Sequence, residues 1–134
     1  MTHQPIPPAI SKVIDACVPD VQTGLYHLRQ LILTCAARLP AIGPVTEALR
    51  WGQPAFLTLE TGAAASLRIG PVPDGFALFV HCQTNLIAAF LSGPGAGFRT
   101  QGSRAVLFHG PDDIIDAPLT LLIGSTLTYH QRKK

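Results

Sequence analysis

The apolar positions of this chain pass from helical spacing to alternation near residue 50. Ile10, Val13, Ile14 and Cys17 recur at helical spacing, and Pro19 stops the run. A longer stripe follows, Val21, Leu25, Leu28, Ile32, Cys35 and Leu39, in steps of four and three. It predicts a second helix from an Asp20 N-cap to Pro40, with His27, Gln30, Thr34 and Arg38 left for solvent. Beyond residue 55 the pattern becomes alternation in short runs. Ala55–Thr61 and Ala65–Ile69 read as strands about a Thr61-Gly62 turn, and Phe76–Cys82 as a third strand after Pro73-Asp74-Gly75. Asn85–Leu91 predicts a short helix capped by Thr84, Ser92–Gly97 a loop, and Gly102–Phe108 a further strand. A last helix from an Asp116 cap places Leu119, Leu122, Ile123, Thr126 and Leu127 on one face.

Pro44–Phe56 joins the two patterns. Gly43-Pro44 suits a helix start, Gly52 a left-handed cap, and Pro54 a stop. That reading puts Glu47, Arg50 and Trp51 at i, i+3 and i+4 on one helical face. Trp51 then plugs a packing corner, with Glu47–Arg50 as a surface ion pair. A sharper reading sets Glu47 and Trp51 at the rim of a ligand pocket. Helices, then strands, then a helix predict an α+β fold, an antiparallel sheet with N-terminal helices and a C-terminal helix packed on one face.

Composition narrows the function classes. The 134 residues predict one domain over 9–131, after a proline-rich, flexible lead-in at 1–8. Only 13% of residues are charged, so an apolar patch for self-association or a partner is compatible with the surface. A net charge of +2 argues against a nucleic-acid partner, and the basic Arg132-Lys133-Lys134 reads as a solvated tail. No run approaches the roughly 20 apolar residues that span a bilayer, and no secretory signal is visible. Cys17, Cys35 and Cys82 are widely spaced in apolar settings and read as buried, reduced thiols of a cytoplasmic protein.

Catalytic signatures are weak. Gly93-x-Gly95-x-Gly97 lacks the lysine and hydroxyl residue of a phosphate loop and reads as a connection, though Arg99 and Arg104 flank it and could hold an anion. His81 and Cys82 are strand neighbours pointing to opposite faces, so a nucleophilic thiol would need His109 from a later strand. Neither His27 nor His130 has a matching ligand at i+4, and no serine lies in a G-x-S-x-G elbow. Asp112, Asp113 and Asp116 are accounted for by capping and the helix dipole.

The run Glu47-Ala48-Leu49-Arg50-Trp51-Gly52-Gln53-Pro54-Ala55-Phe56, preceded by Arg29-Gln30-Leu31-Ile32, resembles the YdhG-like domain family of unknown function. The resemblance extends from about Ala9 to Leu127 and implies an α+β fold similar to frataxin. One branch of that family is associated with intracellular iron delivery, which in frataxin-like proteins relies on an acidic helical ridge. Here the first two helices offer only Asp15 and Asp20, beside Lys12, Arg29 and Arg38, and hard cations need clustered oxygens.

The sequence therefore predicts a small cytosolic binding or interaction domain without catalytic residues, cofactor or metal. Its partner would be a small molecule or a protein, or a second copy of the chain, with no nucleic acid and no membrane. Any ligand site is expected from Glu47, Arg50, Trp51, Phe56 and Arg68, the acid or base fixing a polar head group and the aromatics stacking on an apolar body. The alternatives are iron delivery of the frataxin type and a cysteine/histidine-dependent enzyme.

Overall fold

A computed structural model describes residues 5–132, except for the side chain of Arg132. Part of the lead-in expected over 1–8, and Lys133 and Lys134 of the basic tail, lie outside the described residues. Pro8 already opens the first helix.

The described chain is a mixed α+β domain with a six-stranded antiparallel sheet and five helices. Helix α1 spans Pro8–Asp15 and α2 Pro19–Ala37. Strands β1 (Thr46–Arg50), β2 (Gln53–Leu57), β3 (Leu67–Val72) and β4 (Gly75–Val80) then form a meander. After α3 (Leu86–Leu91) come β5 (Arg99–Gln101) and β6 (Ala105–Phe108). Helices α4 (Asp116–Leu127) and α5 (Tyr129–Arg132) close the chain. The strand order is β1-β2-β3-β4-β6-β5, so β6 pairs with β4 and leaves the short β5 at an edge.

Pleating sorts the side chains onto two faces. Phe56, Leu67, Ile69, Phe76, Leu78 and Phe108 point toward the helices and are almost fully buried. The Phe76 and Phe108 rings, register partners on β4 and β6, stack with centroids 5.1 Å apart. Helix α2 comes close to this layer because residue 24 is glycine: a Cβ there would collide with the tip of the Phe76 ring. The buried side of α4 lies against α2 and α3. The opposite face carries Ala48, Ala55, Gly70, Ala77 and Ala105, over which Gln53, Arg68, Phe79 and Leu107 lie.

The helix expected over Pro44–Gly52 is instead strand β1 and the turn of a β-hairpin. Arg50 pairs with Gln53, and the two residues between them, Trp51 and Gly52, both have positive φ, 57° and 74°. That is the mirror-image two-residue turn whose twist matches the flanking strands. Trp51 plugs no corner; it is 89% exposed at the hairpin tip. The strand expected over Ala55–Thr61 starts earlier and ends at Leu57, and the second helix begins at Pro19, which puts Asp20 in its first turn. Asp116 is the first residue of α4, not its cap, and its carboxylate meets His27 Nε2 at 2.7 Å. Cys35 is buried as expected, whereas Cys82 is exposed and Cys17 half-buried.

Candidate functional site

Glu47 and Arg50 form no pair. As register partner of Phe56, Glu47 faces the helices, and its side chain is 2% exposed. Arg29 of α2, whose side chain is 6% exposed, donates to it through Nε at 2.6 Å and Nη2 at 2.8 Å. This two-pronged pairing is the strong form of the arginine–carboxylate bond. Arg29 also reaches the Pro5 carbonyl at 3.4 Å. Glu47 and Phe56 thus belong to the covered side of the sheet, and Arg50, Trp51 and Arg68 to the other end of the hairpin and its open face.

Arg68 lies at the centre of that face. Its strand neighbours are Ala55 on β2 and Phe79 on β4. The small alanine leaves room for the guanidinium to lie across the sheet, its carbon 5.7 Å from the Phe79 ring centre, within cation–π range. Nη1 donates to Gln53 Oε1 at 2.8 Å. The Nε of Arg68 is buried and has no hydrogen-bond partner among the described residues. Orphaned buried donors are uncommon and costly, on the order of 1–3 kcal/mol.

Two hollows meet over Arg68. One, of about 440 Å³, has a largely apolar lining that includes Leu57, Leu59 and Ala64. The other, of about 460 Å³, is lined by Gln53, Phe79, His81, Cys82 and Arg104. Trp51, Ser66 and Arg68 belong to both. Among the described residues no carboxylate lines either hollow. Of the five residues the sequence pointed to, Arg50, Trp51, Phe56 and Arg68 border the first hollow, Phe56 with its side chain turned to the core, and Glu47 borders neither. The sequence missed Gln53, Phe79 and His81 as parts of this site, and linked Arg104 only to the glycine-rich loop. Strand parity is the signal that groups them: Arg50, Gln53, Arg68 and Phe79 are successive register partners or their outward neighbours.

Thiol chemistry is not assembled here. His81 and Cys82 follow β4 at one side of the sheet, while antiparallel pairing carries His109, just after β6, to the other. Its backbone N–H is instead bonded to Asp113 at 2.8 Å. Burial raises the thiol pKa of Cys35 and of Cys17, so both stay protonated and weakly nucleophilic. Asp15 accepts the Tyr26 hydroxyl at 2.6 Å, and that bond, more than burial, pushes the phenol pKa up to about 12. Among the described residues no three His, Cys, Asp or Glu side chains converge as a metal site, and no helix is long and apolar enough to cross a membrane.

No family model, curated protein or solved structure matches this chain.

Proposed function

We propose that the chain is a small binding domain whose open sheet face takes an anionic molecule carrying a flat ring. One observation carries this reading. The only tryptophan stands at a hairpin tip, 89% exposed and in left-handed backbone, and shares with Arg68 two hollows that no carboxylate of the described residues lines. A bulky residue in that conformation costs about 1–2 kcal/mol, and no packing of the indole offsets it. Strain held at a surface aromatic is a mark of recognition. The apolar hollow suits the ring and Arg68 the anion. Neither a nucleophile nor a metal is needed.

The three free cysteines support a reducing compartment. The Trp51-Gly52-Gln53-Pro54 hairpin, set between N-terminal helices and later strands, supports a YdhG-like domain of frataxin-like arrangement as the family reading.

Isothermal calorimetry with 1-naphthoate, compared with uncharged 1-naphthol, tests the site. Naphthoate should bind and naphthol bind at least tenfold more weakly, with naphthoate binding lost in Trp51→Ala and in Arg68→Gln. Equal binding of the two compounds, or naphthoate binding unchanged by both substitutions, would refute it.

A further inference from the structure

Resting on that reading, we infer that the anion is a phosphate monoester, held in the hollow between Trp51 and Arg104 while its ring lies against the indole. The polar groups of this hollow come from separate elements and present donors. Arg68 arrives from β3, and Arg104 from the β5–β6 turn. His81 follows β4. Its Nδ1 accepts the Gln83 backbone N–H at 3.1 Å, which leaves Nε2 to carry the proton and donate. The Ser66 hydroxyl, the Gln53 amide and the Cys82 thiol complete the polar lining.

The supports of these groups are fixed by hydrogen bonds that need no ligand. The carbonyl of Arg104 accepts the Val80 N–H at 2.8 Å, and Ser103 Oγ donates to the Cys82 carbonyl at 2.7 Å. These two bonds lock the β5–β6 turn onto the end of β4. The Thr84 hydroxyl closes a turn on the His81 carbonyl at 2.8 Å. A site with prepositioned donors loses less freedom on binding.

Donor count and charge select the ligand. A carboxylate brings two oxygens and one charge. A phosphate monoester brings three terminal oxygens and close to two charges near neutrality, enough for Arg68, Arg104 and His81 together, with its charge balanced by two guanidinium groups. Arginine is also the side chain best matched to phosphate geometry. The adjoining apolar hollow, sharing Trp51 and Arg68 as its wall, receives the ring. Two bounded hollows and a net charge of +2 favour a small molecule over a nucleic-acid strand, which needs a continuous basic track.

Calorimetry with adenosine 5′-monophosphate, adenosine, 1-naphthoate and a hexathymidylate lacking terminal phosphates decides the matter. The monophosphate should bind at least tenfold more tightly than naphthoate, and adenosine at least tenfold more weakly than the monophosphate. Arg104→Gln, at an exposed turn residue, should cut monophosphate affinity at least tenfold and naphthoate affinity by a smaller factor. Naphthoate binding as tightly as the monophosphate, or a monophosphate affinity unmoved by Arg104→Gln, overturns the phosphate assignment and leaves the anion-and-ring reading standing. Binding by neither naphthoate nor the monophosphate overturns both. A hexathymidylate that binds more tightly than the monophosphate overturns the assignment in favour of a strand.

Discussion

The sheet has two faces, and each carries an arginine whose circumstances are opposite. Arg29 reaches the covered face, loses almost all contact with water, and is matched by the two oxygens of Glu47. Arg68 lies on the open face, rests on Phe79, and keeps a buried donor that no atom of the described residues accepts. A fold needing only stability would favour the first arrangement or an apolar substitute for it. The second costs stability, and with Trp51 beside it marks the face given over to recognition. Tightly matched groups hold this molecule together; the indole left in water is where it meets something else.

The strongest way to break the comparison is at Glu47. Glu47→Ala should destabilise the protein by about 3–5 kcal/mol, because Arg29 is left buried and uncompensated. Urea unfolding followed by far-UV circular dichroism measures it. Replacing the pair together, Arg29→Met with Glu47→Leu, should cost less than Glu47→Ala alone. A Glu47→Ala variant as stable as the parent would show that the pair is not a structural lock. Next in size is Gly24→Ala, which drives a methyl into the Phe76 ring and should cost up to about 3 kcal/mol by overpacking. A neutral result would mean that α2 and β4 part without penalty.

On the open face the sign reverses. Trp51→Asn should stabilise the protein by about 1 kcal/mol, since asparagine followed by Gly52 suits a turn with two positive φ values, and it should abolish naphthoate binding. A buried plug would behave otherwise, losing about 3–5 kcal/mol on truncation. The smallest effect belongs to Tyr26, back on the helical side. Its phenol holds its proton to about pH 12 in the folded chain, against 10 for the free group, so its contribution is whole below pH 10 and is lost as pH rises from 10 to 12. Absorbance titration at alkaline pH should show this late phase, and Asp15→Asn should remove it.

Much of the fold could be read from periodicity. Both N-terminal helices, the Pro73-Asp74-Gly75 turn into β4 and the buried stripe of α4 lie close to where spacing puts them. The error fell on β1, for two physical reasons. Its inward residues are Glu47 and Leu49, so a carboxylate occupies a core position and hides the alternation. Gly52 then misleads, because a helix C-cap and a mirror-image hairpin turn demand the same positive φ. Arg29 offered the missing signal. It sits four residues beyond Leu25 on the buried side of α2, and an arginine there requires an acid from elsewhere in a chain with only eight.

The site was legible in part. Arg50, Trp51 and Arg68 fall together at the hairpin tip and open face. Phe56 borders the same hollow although its side chain is buried in the core. Glu47 does not join them, since helical spacing groups residues that strand parity separates.

A lone indole standing in water has a spectroscopic consequence. Its emission should already sit near the solvent-exposed wavelength in the native protein, so denaturation will shift it little. Anything that settles over the hairpin tip, by contrast, will change its colour or quench it. The chain carries a fluorophore nearly blind to its own unfolding and responsive to arrivals.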